Sequence, residues 1–305
     1  MIDQQQPLWV GLDDNLEVID PWRISADLFA GNLQNMRQST IGSFSICPNR
    51  VKYSRDNPGH YGGSDATVIG TAYHAGLETF YYAYIIGESQ PSQETMYAAI
   101  CDTVDKEMLK IGGVSMLSWN KFSTVDELKD QACALLDARM QHPLFQAGWE
   151  PVAIELTFRL PWIQGWAATG TVDLVLWNAV EGRYRIVDHK TAGRMWQKNK
   201  HLKSPQPHWY SMMIQSALEA AGFVHPPVEM DFEIITYGGK FETRTVTPTA
   251  HTMDVWNNKA RIAALAIESD GPWYENTDSN LCSPMYCDAW EACPSGQTYH
   301  IELGK

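Results

Sequence analysis

Two acidic residues and a lysine are the residues of this sequence best suited to hydrolytic chemistry. Asp173 lies in GTVDLVLW (170–177), and Asp188 and Lys190 lie in RYRIVDHKTAG (183–193). Both stretches are rich in β-branched residues and predict strands, in which side chains two residues apart share a face. Converging carboxylates repel each other unless a hard cation such as Mg²⁺ or Mn²⁺ binds them, and a lysine beside them can hold a water or stabilise charge on a phosphate. Taken alone, the Asp188–Lys190 pair could equally be a surface ion pair worth about 0–1 kcal/mol.

Two further residues could add ligands to such a metal site. His74 lies on the aromatic segment 66–87, which predicts a helix buried within the domain, and Glu78 follows on the same face one turn later, where it could orient the imidazole. A histidine there is either a ligand or a hydrogen-bonded core residue. Glu155, in the strand-like segment 151–162, either approaches the metal or faces solvent.

These motifs together resemble one enzyme family. GTVDLVLW followed by DHK resembles the PD-(D/E)XK nuclease superfamily, with His189 between the acid and the lysine. GTAYHAGLE resembles the helical motif of the RecB-like branch, in which the histidine, here His74, is a metal ligand. QPHWY matches the Q-x(3)-Y motif of that branch and maps onto Gln206 and Tyr210, which would otherwise be interpreted as packing and capping residues.

The resemblance implies a fold and a set of roles. The fold would be α/β, with a restriction-endonuclease-like core in which a central mixed sheet is flanked by helices. The residues that would hold one or two Mg²⁺ or Mn²⁺ ions are His74, Asp173, Asp188 and the backbone carbonyl of His189, with Glu155 as a weaker candidate. Lys190 would position or help deprotonate the attacking water, and Gln206 and Tyr210 would support the lysine or its strand.

Four of the six cysteines suggest a second metal site. Cys282, Cys287 and Cys293 are spaced C-x(4)-C-x(5)-C, and Cys47 lies far upstream. Close cysteines in a reducing compartment are typical of soft-ligand metal binding, to an iron–sulfur cluster or to zinc. The same arrangement around a RecB-like core resembles the iron–sulfur nucleases, such as the AddB nuclease domain and the CRISPR-associated RecB-like exonucleases, and implies a 4Fe–4S cluster that links the two ends of the domain. Those relatives usually have a C-x(2)-C spacing first, so the longer gap here is a departure from the family pattern.

Basic residues near the predicted site could bind nucleic acid or could belong to solvated loops. One group follows the strand that carries the lysine, and a tryptophan lies among its cations: Arg194, Trp196, Lys198, Lys200 and Lys203. A second group, with Arg50 and Lys52, lies close to Cys47. Cations can follow phosphates and an aromatic ring can stack on an unpaired base, which favours single-stranded nucleic acid.

The elements that must position these residues form a recognisable order. Helical patterns are predicted in part of 24–55 and over 66–87, 92–111, 123–142, 206–222 and 248–269. A three-strand meander is predicted at 151–162, 168–178 and 183–191, followed by a hairpin of 228–238 and 241–247 around Gly238 and Gly239. We expect a single domain over residues 1–305, with a core of about 40–295, added helices at about 90–145 and a cysteine-bearing C-terminal tail.

Composition limits the classes of protein that fit. A hydrophobic content of 44% and an aromatic content of 11% argue against disorder, and the sequence lacks the long apolar run of a membrane span. The N-terminus resembles neither a secretory signal nor a transit peptide, so we expect a cytoplasmic protein. The net charge of −13 is unusual for a DNA-binding protein, although metal-binding carboxylates contribute to it.

The resemblance therefore implies a Mg²⁺- or Mn²⁺-dependent deoxyribonuclease, and in particular an exonuclease acting on single-stranded DNA ends. No P-loop motif is present, so the chain has no helicase of its own. One alternative is a non-catalytic DNA-binding or scaffold subunit of a recombination or DNA-processing complex. Another is a zinc-stabilised hydrolase with a different substrate. A protein partner or a homo-oligomer remains open at this level.

Overall fold

The structure is a computed structural model that describes residues 33–57, 63–220, 228–279, 281–283, 287, 289–290, 293–294 and 298. Its strands are β1 (Gln34–Arg37), β2 (Glu150–Ile163), β3 (Trp166–Asn178), β4 (Arg183–Ala192), β5 (Val228–Thr236) and β6 (Phe241–Val246). Its α-helices are α1 (Gln38–Ile46), α2 (Pro48–Asp56), α3 (Asp65–Ile85), α4 (Gln93–Ile111), α5 (Val125–Met140), α6 (Gln206–Ala220) and α7 (Ala250–Glu268). Short 3₁₀ turns lie at Val114–Met116 and His201–Lys203.

The strands form one mixed sheet of six, in which β1, β3, β4, β5 and β6 follow one another and β2 pairs with β3. β2 follows nearly the whole of β3, so β1 and β4 share the opposite edge of β3, β1 at residues 166–169 and β4 at residues 174–178. The β1–β3 and β4–β5 pairs are parallel, and α6 provides the crossover that a parallel pair requires. Residues 170–173 of β3 lie between the segment paired with β1 and the segment paired with β4. The side chain of Asp173 occupies this part of the edge.

Two hydrophobic clusters lie on the two faces of the sheet. One contains Val172, Trp209 and Phe232 and is covered by α1, α2, α6 and α7. The other contains Tyr73 and Leu174 and is covered by α3, α4 and α5. The predicted fold class, a central mixed sheet flanked by helices, is confirmed.

Most predicted elements are present, and their boundaries differ from the predicted ones by at most two residues. The meander, the hairpin and the long helices all form, and α3 begins with Ser64, whose side chain accepts a hydrogen bond from the Thr67 amide. The sequence pattern did not predict β1, a four-residue strand within a segment that was expected to be partly helical. The predicted end of the helix over 206–222 lies outside the described residues. Within the described part of the chain, no helix has the length and apolar character needed to cross a bilayer.

Candidate functional site

Along β2 and β3, the buried side chains switch from one face of the sheet to the other at Glu155 and Asp173. The paired residues Leu156 and Val172 pack into the cluster beneath α6, whereas the paired residues Ile154 and Leu174 pack on the α3 side. Glu155 lies at this change on β2 and has a φ of 45°, a left-handed conformation that costs free energy for a residue with a side chain. A strand predicted from its sequence is assumed to alternate its side chains between the two faces without interruption. The kink at Glu155 was therefore not predicted.

The acids at this kink lie beside the histidine of α3. His74 Nδ1 is 3.7 Å from Asp173 Oδ2 and 3.9 Å from Glu155 Oε1, and one ligand atom from each of the three residues lies within 4.8 Å of the others. Two ligands of one Mg²⁺ ion are at most about 4.2 Å apart, because each lies about 2.1 Å from the metal. Two carboxylates and an imidazole at these separations therefore fit a divalent cation after small adjustments. We call these three residues the metal-binding group.

Glu155 is held in an environment that disfavours its charged form. Burial, and then repulsion from Asp173 and Glu78, raise the pKa of Glu155 to about 7. A bound cation would reverse this effect, since it stabilises the carboxylate. The sequence analysis left the position of Glu155 open between solvent and metal, and the structure brings it to the metal-binding group.

The backbone of His189 contacts two members of this group. The β3–β4 ladder ends at the pair Leu174 and Val187, and the His189 amide then donates to Asp173 Oδ2 at 2.7 Å. The His189 carbonyl lies 2.8 Å from His74 Nε2. A carbonyl oxygen can only accept, so Nε2 of His74 donates in this contact, and Nδ1 faces the two carboxylates.

Asp188 and Lys190 form a separate, largely buried pair next to the metal-binding group. Asp188 Oδ2 is 2.5 Å from Lys190 Nζ, and Asp188 Oδ1 accepts from Gln206 Nε2 at 2.9 Å. Burial is the largest effect on the pKa of Asp188 and, with repulsion from Asp173, raises it despite the lysine. Burial alone would lower the pKa of Lys190, but attraction to the two aspartates outweighs it, and the pKa lies above its ordinary value. With Asp188 buried, a surface ion pair does not describe this contact.

Tyr210 supports this pair from α6. Its buried ring packs edge to face on Phe158 at 5.8 Å, and its hydroxyl group lies near Gln206. Burial, followed by the charge of Asp188, raises the pKa of Tyr210 to about 12, so the phenol keeps its proton. The ring fits because residue 170 is glycine: a Cβ there would lie 2.7 Å from Tyr210 Cε1 and 2.8 Å from Phe158 Cζ.

An open cleft of about 420 Å³ leads to these residues from solvent. Its lining includes His74, Glu155, Lys190 and, from one turn further along α3, Glu78. The cleft is therefore acidic around a single lysine, which suits a site that binds cations and then a phosphate.

The basic loop after β4 lies beside this lysine. Arg194, Lys198 and Lys203 are exposed, whereas Trp196 is partly buried against Phe232, with ring centres 5.3 Å apart. Lys200 Nζ lies 4.3 Å from the Trp196 ring centre, and burial followed by repulsion from Lys190 lowers the pKa of Lys200.

Arg244, which the sequence analysis did not identify, holds this loop. Its guanidinium donates to the carbonyls of Trp196, Gln197 and Lys198, with the shortest contact at 2.6 Å. Arg244 is one of four consecutive polar residues on β6, so no sequence signal distinguished it.

The second basic group is in a different place. Arg50 contributes to a cleft of about 590 Å³ between α1, α2 and the start of β3. Lys52 instead pairs with Asp56 at 3.1 Å and lies 3.9 Å from Asp270, which offsets its charge.

The four predicted cysteine ligands lie together. Cys47, Cys282, Cys287 and Cys293 all line one cavity of about 30 Å³ near the start of α2. Burial, and then repulsion from the other three thiols, raise the pKa of Cys282. Asn49 Nδ2 lies 3.7 Å from Cys293 Sγ. Cys101 and Cys133 lie instead on α4 and α5, and both are partly buried.

Comparison with solved structures finds chains of similar length at low identity. A candidate exonuclease from Eubacterium rectale is 11% identical, with 85% of this chain and 91% of that chain covered and a TM-score of 0.48. The protein SSO0001 is 13% identical, with 90% of this chain and 95% of that chain covered and a TM-score of 0.36. No curated protein sequence matches this chain significantly.

Comparison with protein-family models gives one match over most of the chain. Residues 38–294 match the model of the PD-(D/E)XK nuclease superfamily. The matched range includes the metal-binding group, the Asp188–Lys190 pair, Gln206 and Tyr210, and all four clustered cysteines.

Proposed function

Because this chain belongs to the PD-(D/E)XK nuclease superfamily, we propose that it is a Mg²⁺- or Mn²⁺-dependent deoxyribonuclease that hydrolyses phosphodiester bonds at single-stranded DNA ends. The observation that carries the proposal is the juxtaposition of His74, Glu155 and Asp173 with the buried Asp188–Lys190 pair at one cleft.

Five groups are proposed to hold the metal. His74 Nδ1, Glu155 and Asp173 would bind one ion, and Asp188 and the carbonyl of His189 are the further proposed ligands. Such an ion acts as a Lewis acid on a phosphoryl oxygen and lowers the pKa of a bound water. The local excess of carboxylates supports this assignment, since without a cation their mutual repulsion is uncompensated.

Lys190 is proposed to act through its charge. Because its pKa lies above the ordinary value, the ammonium stays protonated at neutral pH, which favours holding the attacking water and stabilising charge on the phosphate over removing a proton. Asp188 and Gln206 fix the position of this ammonium, and Tyr210 holds Gln206. Gln206 and Tyr210 are therefore proposed as supporting residues.

The basic loop after β4 is proposed to hold the DNA strand. Lys200 approaches Lys190, and Arg194, Lys198 and Lys203 are free to contact phosphates further away. Trp196 is packed between Phe232 and Lys200, so a base could stack on its ring only after Lys200 moved aside. Arg50 is proposed to contact DNA in the second cleft, and the ion pairs of Lys52 make its contribution smaller.

The cysteine cavity is proposed to bind a 4Fe–4S cluster, with zinc as the alternative. Four thiols from two distant parts of the chain around one small cavity are the ligand number that either group requires. A bound cluster would link residue 47 to the C-terminal segment and stabilise the fold without taking part in hydrolysis. An anaerobically purified protein should absorb visible light, and a colourless protein with stoichiometric zinc would contradict the cluster.

The nuclease proposal is tested with oligonucleotides labelled at either end. We expect Mn²⁺-dependent release of short products from single-stranded DNA, with less cleavage of duplex DNA or RNA. Lys190→Ala should abolish cleavage, whereas Lys106→Ala, which removes an exposed lysine on α4, should not. Cleavage by the Lys190 variant at the wild-type rate would refute the mechanism. DNA binding by the wild type without cleavage would favour the alternative, a non-catalytic DNA-binding or scaffold subunit of a recombination or DNA-processing complex.

A further inference from the structure

A buried ion pair lies behind the strand that carries Asp188 and Lys190. Arg139 of α5 donates from Nε and Nη2 to the two carboxylate oxygens of Glu233 on β5, each at 2.9 Å. Arg139 is 0% exposed, and its remaining donors bind the carbonyls of residues 142–144. A planar, two-bond contact of this kind fixes direction as well as distance. Glu233 is thereby held in one position.

Glu233 in turn holds the side chain of His189. Its Oε2 lies 3.0 Å from His189 Nδ1, and the imidazole is buried and stacked on Tyr81, with ring centres 6.0 Å apart and planes 13° apart. Burial alone would raise the pKa of Glu233, but its contacts with His189 and Arg139 outweigh burial and lower the pKa. Glu233 Oε2, held by Arg139, is therefore a fixed polar neighbour of His189 Nδ1.

The backbone of the same histidine contacts the metal-binding group. Its amide donates to Asp173 at 2.7 Å and its carbonyl accepts from His74 at 2.8 Å. We propose that Arg139, Glu233 and His189 form a positioning chain that sets the orientation of Asp173 and His74 from inside the protein. This inference rests on the proposed function and assigns a positioning role to three side chains, none of which would touch the metal or the substrate.

Stability alone does not account for such a chain. Replacing a buried ion pair with apolar residues of similar size is often neutral or stabilising, so packing at this place does not require charge. The backbone of residue 189 donates one hydrogen bond to Asp173 and accepts one from His74. The geometry of these two bonds does require a fixed backbone. Partners behind metal ligands typically contribute 10–100-fold to metal affinity or activity.

The test compares His189→Leu with His189→Asn. Leucine keeps most of the buried volume but removes the polar atom that faces Glu233, whereas the amide nitrogen of asparagine can take the place of Nδ1. We expect His189→Leu to weaken Mn²⁺ binding, measured by calorimetry without substrate, by about 10–100-fold. Its kcat on an oligonucleotide should fall with little change in KM, and His189→Asn should restore most of both. In metal-free protein, amide hydrogen exchange of the β4 peptide should be faster in the leucine variant.

A matched control lies on the same two strands. Arg185 of β4 is also buried and ion-paired with Glu229 and Asp231 of β5, at 3.0 Å and 3.3 Å. Arg185→Met therefore removes a comparable ion pair and should leave Mn²⁺ affinity within twofold of the wild type. An equal loss in this control would overturn the proposal, because general loosening of the sheet would then explain the result.

Three further outcomes also decide the question. A folded His189→Leu variant with wild-type Mn²⁺ affinity overturns the proposal, and so does a wild type that binds no Mn²⁺. If His189→Leu does not fold, the double variant Arg139→Met, Glu233→Met tests the same loss with an apolar replacement. If neither variant folds, the role of these three residues is purely structural and the proposal is overturned. Mn²⁺ binding without nucleic-acid cleavage would refute the proposed function alone.

Discussion

Replacing Lys190 with methionine should destabilise the protein because it leaves a buried carboxylate without its cation. Asp188 is buried, its Oδ2 lies 2.5 Å from Lys190 Nζ, and Gln206 would be its remaining hydrogen-bond donor among the described residues. Removing one partner of a buried pair typically costs about 3–5 kcal/mol. The Lys190 side chain is 29% exposed, so we take the lower end of that range, about 3 kcal/mol.

The destabilisation should depend on pH in a defined direction. An acid whose folded-state pKa lies above its unfolded value, near 3.9, binds its proton more tightly when folded. The stability gained from this proton is therefore lost as the pH rises from the unfolded-state pKa to the folded-state pKa. The pKa of Asp188 is already raised by burial, and loss of Lys190 removes the charge that opposes the rise. The stability difference between variant and wild type should thus be larger at pH 8 than at pH 5.

Urea unfolding at the two pH values, with metal chelated, measures this difference. The matched control is Lys106→Met, which removes a lysine that is also 2.5 Å from an aspartate, Asp102, but in a pair whose side chains are 72% and 60% exposed. It should cost less than about 1 kcal/mol at either pH. Equal costs for the two variants, or a cost for the Lys190 variant that does not grow with pH, would refute the assignment of a buried, mutually dependent pair.

Three other changes test the rest of the site. Mn²⁺ affinity of the wild type, measured by calorimetry, should fall about fivefold from pH 7 to pH 6, because the pKa of Glu155 is about 7 and its proton competes with the metal. Glu155→Gln should bind Mn²⁺ weakly at both pH values. Gly170→Ala should cost about 1–3 kcal/mol in urea unfolding by forcing Tyr210 aside, and Gly193→Ala, with open space around its Cβ, should cost little. Arg244→Met should raise KM for single-stranded DNA about fivefold, or about 1 kcal/mol, by releasing the loop after β4 without changing Mn²⁺ affinity.

Local pattern was enough to predict most of the fold. Alternation located β2, β3 and β4, the glycine pair located the β5–β6 turn, and helical periodicity located α3 to α7. β1 was missed because four residues carry too little periodicity, and its pairing with β3 depends on residues more than 120 positions away. Short elements of this kind are determined by the strand they pair with, which local propensity does not encode.

The residues of the site also divide into those whose proximity follows from the sequence and those that only the tertiary structure brings together. The sequence determined that Asp188 and Lys190 lie side by side, because residues two apart on a strand share a face, and the spacing of cysteines indicated that distant parts of the chain meet. The tertiary structure decided how Glu155 turns to reach His74, since that depends on a backbone kink at one residue. It also decided that Glu233 and Arg139 lie behind His189, because α5 and β5 are far apart in the sequence and meet only in the packed fold. Contacts along one strand are set by covalent spacing, whereas contacts between elements depend on how the whole chain packs.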